Sequence, residues 1–164
     1  MTTLTDLSKA QTIHATALYK EGCGILLLGP SGCGKSDLAL RLIMERRACL
    51  VADDVCEIVN GNKGLVVRGP KEGARLLEVR GLGIAQLRPD QWASQAPLTF
   101  ALRLTPHAQI ARHPSGEVLE DLGIPVYPLD PFQLSALAKI RLLIQVHREE
   151  ARLLWPEQPL ARAS

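Results

Sequence analysis

The segment Gly24-Ile25-Leu26-Leu27-Leu28 runs directly into Gly29-Pro30-Ser31-Gly32-Cys33-Gly34-Lys35-Ser36. The first part is an apolar run of strand length. The second fits G-x-x-x-x-G-K-[ST], and apolar Leu38, Ala39, Leu42 and Ile43 then recur at helical spacing. Strand, glycine loop and helix in that order form a phosphate-binding loop, whose backbone N–H groups wrap the phosphates of a nucleotide. Lys35 is placed to set its ammonium against the β- and γ-phosphates and Ser36 to offer a hydroxyl to Mg²⁺, while the helix turns its positive end toward the anion. A chain organised in this way is confined to the α/β class. The alternative, a glycine turn that only joins a strand to a helix, leaves Gly-Lys-Ser in register without a reason.

At 164 residues and 46% hydrophobic composition the chain is long enough for one domain with a real core and too short for two ordinary ones. We therefore expect a single domain over 1–164, with a core at about 11–154 and a flexible tail at 155–164. Nineteen basic and 17 acidic residues are interspersed, giving a net charge of +2 and no basic block that could track a nucleic-acid backbone. No run approaches the ~18 apolar residues of a membrane span, and Met1–Asp6 lacks the basic start of a signal peptide, so the expected setting is cytoplasmic. Cys23, Cys33, Cys49 and Cys56 lack the paired spacing of a zinc site and read as free thiols. Cys33 sits inside the phosphate loop, where it reads as a small filler rather than a redox group.

In chain order, Gln11–Tyr19 alternates like an edge strand, with Ile13, Ala15, Ala17 and Tyr19 on one face and Thr12, His14, Thr16 and Leu18 on the other. A turn at Glu21–Gly24 would pair it as a hairpin with the strand feeding the phosphate loop, leaving His14 close to that loop. After the helix, Ala48–Ala52 is a short buried run that ends on Asp53 and Asp54. Carboxylates at a strand's carboxyl end can reach a metal and a γ-phosphate; otherwise they form a solvated turn into the next strand, Val55–Val59. Gly64–Arg68 reads as a further strand. Leu76–Ile84 sets Glu78 and Arg80 amid apolar residues, which is costly to bury unless a Mg²⁺–phosphate cluster or an internal pairing satisfies them, and a solvated face is the alternative. Leu98–Leu104 alternates as a later strand, Gly123–Tyr127 reads as an edge strand because Pro125 cannot donate to a ladder, and Arg112 lies on the polar connection between them. From Pro131 to Leu154 the pattern is helical, with Leu134, Leu137, Ile140, Ile144, Ala151 and Leu154 as its apolar stripe. The fold expected is α/β: a single P-loop domain with a central mixed β-sheet, a P-loop helix and a long C-terminal helix.

Taken together, His14, the loop ending at Ser36, Val51-Ala52-Asp53-Asp54 and Leu77-Glu78-Val79-Arg80-Gly81-Leu82-Gly83-Ile84 resemble the catalytic domain of HPr kinase/phosphorylase. The resemblance runs over about residues 11–145, is strongest before residue 86, and points to the short proteobacterial form without the family's N-terminal domain. It implies an ATP- and Mg²⁺-dependent protein-serine kinase acting on HPr, the phosphocarrier of the phosphotransferase system, or on its nitrogen-branch relative. It also implies a reverse phosphorolysis that uses inorganic phosphate, and by analogy a hexamer. By matched position Asp53 is the base that takes the serine proton, His14 and Lys35 are further active-site residues, and Ser36 and Glu78 are magnesium ligands, with Asp54 a third candidate. Phosphoryl transfer asks mainly for positioning and charge stabilisation, which such residues supply.

Two positions depart from the family pattern. The catalytic arginine of a later loop has no clear counterpart, and Arg112 is the candidate. The segment I-P-V-R-P-G-R-N, tied in the family to dephosphorylation, stands here as Ile124-Pro125-Val126-Tyr127-Pro128-Leu129-Asp130-Pro131, without either arginine. A small-molecule kinase or ATPase on the same loop, and a non-enzymatic nucleotide sensor, are the competing readings. Glu-Val-Arg-Gly-Leu-Gly argues against the first, and the presence of Asp53 with Glu78 argues against the second.

Overall fold

The structure is a computed structural model that describes residues 10–71 and 74–154. The tail expected at 155–164 and the Met1–Asp6 segment lie outside the described residues. In chain order the strands and helices are β1 (Gln11–His14), β2 (Thr16–Lys20), β3 (Cys23–Leu28), α1 (Lys35–Arg46), β4 (Cys49–Ala52), β5 (Val55–Gly61) and β6 (Gly64–Arg68). They continue with β7 (Leu76–Val79), β8 (Gly83–Gln86), β9 (Gln95–Leu104), β10 (Val118–Leu119), β11 (Ile124–Leu129) and α2 (Ala136–His147).

Nine strands form one mixed sheet in the order β1-β5-β6-β9-β3-β2-β4, with β11 added beside β9 and capped by β10. Strand β9 runs parallel to β3 and β11, and the remaining pairs are antiparallel. The chain runs straight from β1 to β2 and almost straight from β4 to β5, and the Ala15 amide donates to the Asp54 carbonyl at 3.1 Å where both pairs are interrupted. The two ends of the strand order are thereby joined, and the sheet curls back on itself. Its concave side is filled by small and medium residues, Ala15, Ala17, Val51, Ala52, Val67, Ala96 and Ala101, as tight curvature requires. Its convex side carries Leu18, Ile25, Leu27, Phe100 and Leu102, which pack beneath α1 and α2 through Leu38, Leu42, Ile140 and Ile144.

The hairpin between β2 and β3 is present, in register from Thr16 opposite Leu27 to Lys20 opposite Cys23. Its two-residue turn puts Glu21 at φ 48° and Gly22 at φ 86°, the positive angles that match a twisted hairpin. The alternation read over residues 11–19 also holds: Ile13, Ala15, Ala17 and Tyr19 face the inner cluster, and Leu18 faces the outer one. The single edge strand does not. Residue 15 divides it into β1, paired with β5, and β2, which lies inside the sheet between β3 and β4.

The C-terminal helix is shorter than its periodicity suggests. Pro131–Ser135 forms turns and helix α2 begins at Ala136, leaving Leu134 fully exposed at 105%. At the other end Glu149 adopts φ 62°, and the amides of Glu149 and Glu150 fold back onto the carbonyls of Val146 and Gln145. That left-handed reversal ends the helix without a glycine to announce it, so Ala151 and Leu154 lie beyond it. Strand β11 is longer than the edge strand read there, and Pro125 sits opposite Val118 of β10. Glu78 and Arg80 are exposed on the separate hairpin β7–β8, so neither charge has to be buried. No helix among the described residues is long and apolar enough to cross a membrane.

Candidate active site

Strands β3 and β4 run in the same direction on either side of antiparallel β2. Their carboxyl ends and the beginning of β2 consequently meet on one rim of the sheet. The phosphate loop leaves β3 there, Asp53 and Asp54 leave β4, and Thr16 opens β2. A cleft of about 900 Å³ occupies this rim, lined by Gly29–Gly32 and Gly34–Asp37, His14, Thr16, Asp53, Asp54, Glu78 and Arg80, among others. Its size falls within the ~300–1,000 Å³ of typical small-molecule sites.

The loop residues have identifiable local reasons. Gly34 begins α1 at φ 103° and gives the helix no side-chain cap, so the first-turn N–H groups are left to face the cleft. A Cβ at Gly34 would also stand 3.0 Å from the Phe132 ring and 3.1 Å from the Pro131 ring. The Cys33 thiol lies so close beneath Gly29 that a Cβ there would approach it to 2.6 Å, consistent with Cys33 as loop filling. The Lys35 ammonium is held over the loop by the carbonyls of Gly29 and Pro30, at 2.6 and 3.0 Å.

Asp53 is the junction of the site. Its Oδ1 accepts a hydrogen bond from Thr16 Oγ1 at 3.1 Å and lies 3.5 Å from Ser36 Oγ, while its Oδ2 accepts from the Glu78 amide at 3.4 Å. Burial raises its proton affinity above the ordinary carboxylate range; the Glu78 and Thr16 hydrogen bonds counter that, and the neighbouring Asp54 charge adds to it. Asp54 stands at φ 68° in a tight γ-turn closed by the Val55 amide on the Asp53 carbonyl at 2.8 Å, a strained link between β4 and β5. Beneath them the buried Cys56 thiol donates to the Ala15 carbonyl at 3.0 Å, and burial followed by the charges of Asp53 and Asp54 pushes its pKa to about 12. It is inert. All four cysteines are free, as the spacing suggested.

Of the residues singled out in the sequence, His14, Lys35, Ser36, Asp53, Asp54 and Glu78 converge on this cleft. Arg112 does not line it. It lies on the exposed connection before β10, and the arginine on the cleft wall is Arg80. Thr16 and Phe132 are among the lining residues that carried no role in the sequence reading. Thr16 was placed on the face of His14, and that shared face was the available signal; Phe132 was absorbed into the helical pattern.

The donors offered to a metal are hard oxygens, the Ser36 hydroxyl and the carboxylates of Asp54 and Glu78 beside Asp53. Such a set fits Mg²⁺, which takes a few protein oxygens and completes its shell with phosphate and water. Among the described residues no three His, Cys, Asp or Glu side chains form a ready-made metal cage.

A curled mixed sheet, with a loop of the phosphate-binding pattern at a strand end and a partly desolvated aspartate facing it, places the chain among mixed α/β domains built around such a loop. The sequence profile of the HPr serine kinase C-terminal domain matches residues 5–91, and the chain belongs to that family. It is 34% identical over 149 residues to the HPr kinase/phosphorylase of Bordetella pertussis, and 33% identical to that of Burkholderia cenocepacia. Each alignment takes in 85% of this chain, which spans about half the length of these relatives, 47% and 45% respectively. Among solved structures, that of the Hpr(Ser) kinase/phosphatase from Coxiella burnetii superposes with a TM-score of 0.72 at 25% identity, covering 85% of this chain and 92% of that one.

Proposed function

We propose that this chain is a Mg-ATP-dependent protein-serine kinase whose substrate is an HPr-type phosphocarrier or its nitrogen-branch relative. The observation that carries the reading is the Asp53 carboxylate, partly desolvated, held by Thr16 and the Glu78 amide, and set beside Ser36 at the mouth of the phosphate loop. Family membership supports the proposed substrate class.

In this reading the loop amides and Lys35 hold the β- and γ-phosphates, and α1 directs its N-terminus at them. Mg²⁺, when bound through Ser36, Glu78 and Asp54, neutralises charge on the phosphates. Asp53 accepts the proton of the attacking serine hydroxyl, and its raised proton affinity suits it to that task better than an exposed aspartate. Thr16 on Oδ1 and the Glu78 amide on Oδ2 hold the carboxylate in one orientation toward the opening. His14 and Arg80 flank the same opening. A cytoplasmic setting and a homo-oligomer follow from the family by analogy.

The test is to incubate the purified chain with γ-labelled Mg-ATP and the HPr-like protein of the same cell. Label is expected on a serine of the carrier. Hydrolysis of ATP with no label on the protein would replace the kinase with an ATPase.

A further inference from the structure

Asp53 meets α1 on the flank that carries Ser36. On a helix of 3.6 residues per turn, Ser36 and Asp37 project about 100° apart. Ser36 faces Asp53 at 3.5 Å. Asp37 instead faces Arg41, 3.2 Å away, and the Arg41 guanidinium donates to the Pro131 carbonyl. The second flank therefore leads to the turn between β11 and α2, where the Phe132 ring lies against Gly34 at the start of the helix and forms part of the cleft wall. A phosphate chain with its terminal phosphate beside Ser36 and Asp53, running across the N-terminus of α1 past Gly34, would bring its other end to the side of the loop where Phe132 lies.

The ring is 71% exposed, yet its backbone is firmly held. Asp130 accepts the Phe132 amide on Oδ1 at 2.9 Å and the His107 amide on Oδ2 at 3.0 Å, and Arg41 ties down the Pro131 carbonyl. The result is a preorganised, solvent-facing aromatic surface at the edge of a phosphate site. We propose that Phe132 is the platform on which the nucleotide base stacks. The inference rests on the reading of the cleft as a nucleotide site and adds the residue that receives the base. Stacking uses the π-face that every base possesses, so the platform favours a nucleotide over bare phosphates without selecting adenine over guanine.

Titration calorimetry in the presence of Mg²⁺ tests this with ADP, GDP and inorganic pyrophosphate, on the wild-type chain, Phe132→Ala and Phe132→Tyr. The alanine variant should bind ADP and GDP about ten-fold more weakly while pyrophosphate affinity stays within about two-fold, and the tyrosine variant should bind all three like the wild type. Unchanged ADP binding by Phe132→Ala would overturn the platform alone, leaving the nucleotide site in place. An equal loss of pyrophosphate would make Phe132 a support of the loop rather than a base contact. Failure of the wild-type chain to bind any of the three would overturn the nucleotide reading and the platform with it.

Discussion

Thr16 Oγ1 donates to Asp53 Oδ1 across 37 positions of sequence, and Thr16 is almost wholly buried, at 1% exposure. The contact exists because β2 starts on the same rim of the sheet on which β4 ends. It holds the carboxylate in one orientation and restrains the rise in its proton affinity caused by burial.

Replacing Thr16 by valine keeps the shape and removes the donor. A half-buried carboxylate that loses a partner should cost the fold about 1–3 kcal/mol, and the freed carboxylate should lower the transfer rate more than it weakens nucleotide binding. Chemical denaturation and steady-state kinetics on Thr16→Val check the two halves; Thr16→Ser, which restores the hydroxyl, should recover most of the rate.

The apo stability should carry the signature of Asp53. Its folded-state proton affinity is raised above that of the unfolded chain, so its contribution to stability is fully present below the ordinary aspartate range and is lost as pH rises through the elevated folded value. Asp53→Asn should accordingly melt higher than the wild type at pH 7 in chelator, with the gain shrinking toward pH 4. A gain that grows on acidification would contradict the desolvated carboxylate.

His147 should act in the opposite sense. It stacks on Phe100 at 4.9 Å between ring centres and lies 3.0 Å from the Tyr127 hydroxyl, and burial pushes its pKa below the usual histidine value. A depressed value means stability present above the unfolded pKa and lost as pH falls through the folded one. Thermal melts should fall as pH drops below about 6.5, and His147→Phe should flatten that dependence.

The segment at 124–131 should favour the forward reaction of the proposed kinase. The Tyr127 hydroxyl meets His147, and Asp130 is occupied with the amides of His107 and Phe132. Neither supplies the cationic fork that holds inorganic phosphate beside an anionic phosphoserine. With serine-phosphorylated carrier, millimolar phosphate and no ATP, pyrophosphate release should run at least about ten-fold slower than phosphorylation. Comparable rates would mean that another cation, such as Arg80, replaces the two arginines.

Much of this site was legible in the sequence because its signals are local. Gly29–Ser36 has a fixed spacing dictated by phosphate geometry, and Asp53 follows an apolar run that could only be a strand. The curl of the sheet was not legible. It depends on β1 finding β5 and β2 finding β4, and nothing in Gln11–Tyr19 marks Ala15 as the point where partners change. The start of α2 was misplaced because Pro131, Leu134 and Leu137 fit a helical period, while Asp130 bonds the Phe132 amide within the turn and the His107 amide of the loop after β9. Phe132 lost its role for the same reason: its contact with Gly34 joins residues far apart in the chain and leaves no trace in residue spacing.

The central claim is that Asp53 takes the serine proton rather than holding the nucleotide, and Asp53→Asn separates the two. Mg-ATP affinity and the rate of label transfer to the carrier serine should be measured on the same preparation. The account predicts affinity within about three-fold of the wild type and a rate lower by about 10²–10⁴-fold, the usual range for loss of a general base. A fall in affinity as steep as the fall in rate would make Asp53 a metal or nucleotide ligand and contradict the account.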